Sequence, residues 1–123
     1  MSRRILLIDD EDDIREIAAT SLEMIAGWQV VLASSGPEGV AKAQQEQPDA
    51  ILLDVMMPEQ DGASTLAKLR AGKSTAAIPV IFLTAKVHPT EQSRLQSLGA
   101  TGIVHKPFDP LLLHEKIKEI LGW

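Results

Sequence analysis

The sequence predicts a doubly wound α/β domain of five βα units, (βα)5, with a parallel sheet between two layers of helices. Three observations carry this. Five short apolar runs alternate with five segments whose apolar residues recur at helical spacing. The runs are apolar on both faces, as strands covered by helices on both sides must be. Two of the runs, 5–8 and 50–53, end directly on acids, and an open parallel sheet binds its ligands outside the carboxyl ends of its strands. Right-handed crossovers then lay helices on both faces.

The first strand is Ile5-Leu6-Leu7-Ile8, which runs into Asp9-Asp10-Glu11. A helix follows from about Asp12, with Ile14, Ile17, Ala18, Ser21, Leu22 and Ile25 on one face, and Gly27 stops it. The second strand covers 28–33. Ser35-Gly36-Pro37 opens the second helix, with proline in the first turn where its missing N–H costs nothing. That helix ends before Pro48, and 50–53 is the third strand. Met56-Met57-Pro58-Glu59-Gln60-Asp61-Gly62 forms a loop, and Asp61 caps a third helix carrying Leu66 and Leu69. The fourth strand covers 78–83, and a fourth helix near 89–98 stops at Gly99. The fifth strand covers 102–105. A last helix from about Asp109 shows Leu113, Ile117, Ile120 and Leu121 on one face.

The 123 residues suit one domain with one core, and 45% of them are hydrophobic. The net charge of -5 gives no basic footprint for nucleic acid. Cysteine is absent, which rules out disulfides and thiolate metal sites and fits a reducing compartment. The apolar run after the basic start Met1-Ser2-Arg3-Arg4 is too short for a signal peptide or a membrane span. The last predicted helix nearly reaches residue 123. The reading is therefore one domain over 1–123 with no output domain, in the cytoplasm, without membrane or direct DNA binding.

The strand ends carry the chemistry. The first gives Asp9 and Asp10, the third Asp54, the fourth Thr84 and the fifth Lys106. If the first and third strands lie side by side, Asp9, Asp10 and Asp54 meet. Clustered carboxylates repel and lose hydration when buried, so folds keep them chiefly where a cation or proton resolves the cost. All-oxygen ligands suit a hard divalent ion such as Mg2+. A carboxylate can serve as nucleophile, and a hydroxyl and an ammonium can bind phosphoryl oxygens. Singly, each residue has an ordinary explanation: Asp9 and Asp10 as helix caps, Asp54 as a loop acid, Thr84 as a strand end, Lys106 as a surface lysine. Glu11 reads as a first-turn helix acid.

Taken together, Asp9-Asp10, Leu53-Asp54-Val55-Met56-Met57-Pro58, Asp61-Gly62, Leu83-Thr84-Ala85 and Lys106-Pro107-Phe108 resemble the receiver domain of two-component response regulators, of the stand-alone chemotaxis-regulator type. The resemblance covers essentially the whole chain. It implies a flavodoxin-like fold with strand order 2-1-3-4-5. It implies that Asp54 is the phosphoacceptor and that Asp10 ligates Mg2+ directly, Asp9 mainly through water. The Met56 backbone carbonyl would join Asp54 as a further metal ligand. Thr84 would bind a phosphoryl oxygen, and Lys106 would pair first with Asp54 and then with the phosphoryl group. A cis Lys106–Pro107 bond is implied as well. A sensor histidine kinase or phosphotransfer protein would be the donor. A downstream protein would read the face made by the fourth helix, fifth strand and fifth helix.

One position departs from the family. Three residues before the lysine, where an aromatic ring is usual, stands Ile103. The reading therefore moves the relay to Thr84 and the loop 85–89, with His105 on the same strand face as Ile103. His88 and His114 read as helix-surface residues, Met56 and Met57 as loop packing, and Trp28 and Trp123 as packing. Other functions fit less well. A haloacid dehalogenase-like phosphohydrolase needs an aspartate where Met56 stands. A flavodoxin-like cofactor carrier would not put three acids at its phosphate loop. A transcription factor needs a DNA-binding segment. The chain is expected to be no enzyme beyond slow self-dephosphorylation.

Overall fold

The computed structural model describes residues 3–57, 61–85 and 88–123. Pro58, Glu59 and Gln60 of the predicted loop 56–62, and Lys86 and Val87 of the loop 85–89, lie outside the described residues, as do Met1 and Ser2. The elements are β1 (Arg4–Ile8), α1 (Asp12–Ala26), β2 (Gln29–Ala33), α2 (Gly36–Glu46), β3 (Ala50–Asp54), α3 (Gly62–Ala71), β4 (Val80–Thr84), α4 (Pro89–Ser97), β5 (Gly102–His105) and α5 (Leu113–Leu121). The strands form one parallel sheet in the order β2-β1-β3-β4-β5, as the sequence predicts.

Burial follows the alternation of side chains along each strand. Leu6 and Ile8, Ile51 and Leu53, and Val80 and Phe82 face one way. They pack with Ala43 of α2, Leu66 and Leu69 of α3, and Leu95 of α4. Ile5 and Leu7, Ala50 and Leu52, and Ile81 and Leu83 face the other way, against Ala18 and Leu22 of α1 and Leu113 and Ile117 of α5. Both faces of the sheet are thus dry, which is why the strands read as continuous apolar runs.

Local chemistry sets the ends. Gly27 adopts a left-handed backbone and returns its N–H to Glu23 O, while the Trp28 N–H returns to Leu22 O. Trp28 is thereby tied to the helix, and β2 starts one residue later than predicted. Ser35 Oγ accepts from Glu38 N–H at the start of α2, and Asp61 Oδ1 accepts from Ser64 N–H at the start of α3. β4 begins at Val80 rather than residue 78, because the Ile78 N–H turns back to Thr75 O and Pro79 has no N–H to give. α5 begins at Leu113 rather than near Asp109. Asp109 Oδ1 takes the Leu111 N–H and its carbonyl takes the Leu112 N–H, which makes a turn around Pro110 first.

The predicted apolar face of α1 is only partly a core face. Ala18, Ser21 and Leu22 are buried, but Ile17 and Ile25 are each 44% exposed and Met24 is 81% exposed. Small alanines at the contact make the buried stripe narrow and leave the larger side chains on its flank.

Candidate functional site

The register of the sheet builds the site. Ile8 pairs with Leu53, so Asp9 and Asp54 come next on adjacent strands. Asp54 pairs with Leu83, and Thr84 stands one position further along β4. Thr84 pairs with His105, and the Lys106 N–H donates to Thr84 O at 2.9 Å. The parallel topology thus delivers every predicted site residue to one edge. Asp9, Asp54 and Thr84 are buried, and Asp10 is exposed.

Asp9, Asp10 and Asp54 each offer a carboxylate oxygen, and these oxygens lie within 4.8 Å of one another. Glu11 N–H donates to Asp9 Oδ1 at 2.9 Å, and Met56 N–H donates to Asp54 Oδ1 at 3.2 Å. The Met56 backbone is therefore beside Asp54. Its side chain points out, 61% exposed, while Met57 is buried in the core. The packing expected of both methionines belongs to Met57 alone.

Lys106 closes the site from β5, and its peptide bond to Pro107 is cis. Its ammonium donates to Asp9 Oδ2 at 2.7 Å, and stands 3.4 Å from Asp54 Oδ1 and 3.8 Å from Glu11 Oε1. The nearest partner is Asp9, where the resemblance implies Asp54. Glu11 enters as a residue the sequence reading left out. It is the N-cap of α1, yet its side chain makes no capping bond and instead faces the lysine. The signal was the run of three acids, of which only two were given to the site.

Burial first, and then the charge of Asp9, push the Asp54 carboxyl up to about 7, against the opposing pull of Lys106 and the Met56 N–H. Burial works against the charge on Lys106. The hydrogen bond it donates to Asp9 and the charges of Asp54, Asp9 and Glu11 outweigh it, and the Lys106 pKa is raised. One ammonium thus faces the carboxylates of Asp9, Asp54 and Glu11, while Asp9, Asp10 and Asp54 offer an all-oxygen donor set that fits a hard divalent cation.

Gly62 explains how closely α3 approaches. Its N–H donates to Val55 O at 3.0 Å, and a Cβ there would come within 2.8 Å of Val55 Cα and 2.9 Å of Asp54 O. The histidines differ from one another. His88 is exposed at the N-cap of α4, its Nδ1 accepting from Thr90 N–H at 3.2 Å. His114 is half-buried rather than on the surface, with a buried Nδ1 that has no hydrogen-bond partner among the described residues. It lines a cleft with Trp28 and Trp123, whose rings meet edge to face at 5.5 Å as packing residues. Ile103 is half-buried against the cluster that contains Leu95.

The family model of the response regulator receiver domain matches residues 5–118. The chain is 38% identical over 121 residues to the alkaline phosphatase synthesis transcriptional regulatory protein PhoP of Bacillus subtilis, covering 98% of this chain and 49% of that protein. It is 37% identical over 123 residues to the phosphate regulon transcriptional regulatory protein PhoB of Pseudomonas aeruginosa, covering 98% and 52%. The chain spans about half the length of the curated relatives it matches. Among solved structures, the chemotaxis protein CheY4 of Vibrio cholerae superposes with a TM-score of 0.90 at 31% identity, over 98% of this chain and 99% of that one. The receiver domain of a Pseudomonas aeruginosa sensor histidine kinase, described with a magnesium ion coordinated in its active site cleft, superposes with a TM-score of 0.87 at 27% identity over the whole of both chains. With a family match running from the first strand into the last helix, and a fold that overlays solved receivers almost end to end, the chain belongs to the response regulator receiver domains of two-component signalling.

Proposed function

We propose that Asp54 accepts a phosphoryl group from a histidine kinase or phosphotransfer protein, and that the change is read by a partner protein on the face formed by α4, β5 and α5. The observation that carries this is the Asp54 carboxylate, buried at the sheet edge between Asp9 and Lys106. Asp54 Oδ attacks phosphorus, the new O–P bond replaces the donor's N–P bond, and the leaving imidazole takes a proton from solvent. Lys106 and Thr84 bind the phosphoryl oxygens, where the transferred charge sits. Asp9, Asp10, Asp54 and the Met56 carbonyl would hold Mg2+, which supplies positive charge to the ionised carboxylate and the phosphoryl oxygens. Water later hydrolyses the acyl phosphate, so the domain acts as a phosphoacceptor rather than a turnover enzyme.

No described helix is long and apolar enough to cross a membrane, and a cytoplasmic setting suits a receiver. The curated relatives are named as transcriptional regulators. The stretch described here resembles their receiver half, and we assign it no direct contact with DNA.

Intact mass after incubation with acetyl phosphate and Mg2+ tests the acceptor. The wild type should gain one phosphoryl group and Asp54→Ala none. A single label persisting at another residue in the variant would overturn the assignment.

A further inference from the structure

α4 is lightly anchored. Its sequence, PTEQSRLQS, is polar, and among the described residues Leu95 is its buried side chain. Leu95 shares a cluster with Ile103 of β5. One turn earlier on the same side of the helix, the Gln92 amide donates to the His105 ring, with Nε2 to Nε2 at 2.8 Å. This bond holds the neutral ring in the tautomer protonated at Nδ1.

His105 is next to the chemistry. It pairs in register with Thr84, and the residue after it is Lys106, whose N–H is bonded to Thr84 O. The Gln92–His105 bond therefore joins α4 to the end of β5, which carries Lys106 and is hydrogen-bonded to Thr84 at the end of β4. Ile103, two positions earlier on the same strand face, offers only aliphatic packing. A helix with one buried leucine can pivot about it, and a side-chain bond one turn nearer the site biases its position.

We propose that the Gln92–His105 hydrogen bond is a latch that holds α4 in its resting place, and that loading of Asp54 opens it. The proposal rests on the phosphoacceptor reading above. As Lys106 leaves Asp9 for the phosphoryl oxygens, and Thr84 moves with it, the backbone of His105 shifts and its ring loses the amide. An exposed bond between neutral groups biases a two-state ratio about two- to tenfold. Coupling between two sites is reciprocal, so cutting the latch should tighten binding at Asp54 by the same factor.

The test is a titration with beryllofluoride and Mg2+, on the wild type, Gln92→Ala, His105→Ala and the double variant. His105 is exposed and Gln92 half-buried, and neither belongs to the buried apolar clusters. In the wild type the His105 Nε2 nitrogen resonance should move as Asp54 loads. Each single variant should bind beryllofluoride about two- to tenfold more tightly, and the double variant no more tightly than either. The latch is overturned if the wild type loads while the His105 nitrogen stays in place. Unchanged affinities in the variants, or single effects that multiply in the double variant, overturn it too. Failure of the wild type itself to bind beryllofluoride, with Asp54→Ala behaving identically, sinks the phosphoacceptor reading and the latch with it.

Discussion

Lys106 sits between three carboxylates and lies closest to Asp9. In the resting protein its ammonium mainly offsets acid repulsion, and only a phosphoryl group at Asp54 gives it a stronger partner. Lys106→Ala should therefore still take label on Asp54 but should not transmit it. Amide shifts of α4 and β5 induced by beryllofluoride should be lost, while those next to Asp54 remain. Equal α4 shifts in variant and wild type would remove Lys106 from the relay. The neighbouring demand on backbone space is as specific. At Gly62 a methyl group meets backbone atoms of Val55 and Asp54 rather than a side chain that could swing away. Gly62→Ala should cost on the order of 1–3 kcal/mol, typical of overpacking, and should slow labelling of Asp54. Chemical denaturation and the acetyl phosphate assay would read the two effects, and a variant normal in both would show that α3 can retreat freely.

Among the elements, α4 stands apart from the other four helices in how little it buries. Leu95→Ala removes its buried anchor and should cost about 2–4 kcal/mol if the helix is docked throughout. If α4 instead opens on its own, the cost appears locally, as hydrogen exchange of 89–97 far faster than that of β1 or β3. Slow exchange of these amides in the variant would show a tighter hold than Leu95 and Gln92 provide. The elements also show what the sequence could reveal. The central strands were legible because both of their faces are dry, so apolar runs mark them directly. The acids and Lys106 were legible because each follows a strand that a parallel sheet aligns. The start of β4 was not, since Pro79 and the inward-turning N–H of Ile78 interrupt an apolar run without changing its appearance. The start of α5 was hidden for a similar reason, a turn at Asp109 and Pro110 that resembles a helix start. The partners of Lys106, the role of Glu11 and the burial of His114 depend on where side chains point, and spacing along the chain does not encode that.

For the whole molecule, the site should couple stability to pH and to metal, with opposite signs. The Asp54 carboxyl titrates near 7 when folded, against 3.8 for a free side chain. Between these values the folded chain holds a proton that the unfolded chain has released. Stability in the absence of metal should therefore fall as pH rises through that window, and the full penalty should stand above pH 7. At ~1.4 kcal/mol for each pKa unit, the penalty is at most about 4 kcal/mol. Lys106 does not confuse the test. Its raised pKa gives a stabilisation that is fully present below its ordinary value of 10.5 and is lost only at higher pH. Asp54→Asn should remove the penalty, so the difference between the variant and the wild type should grow from pH 5 to pH 8, while contributions from the histidines cancel. Mg2+ binding to the ionised carboxylates should reverse the trend. At ten times its dissociation constant it should add about 1.4 kcal/mol at pH 8, or a rise in Tm on the order of 5 °C for a domain of this size. That gain should shrink toward pH 5 and disappear in Asp10→Ala. Thermal melts at pH 5, 6.5 and 8, with and without Mg2+, would decide the matter. If the metal-free wild type grows more stable relative to Asp54→Asn as pH rises, Asp54 is not under strain and the electrostatic account of the site is wrong.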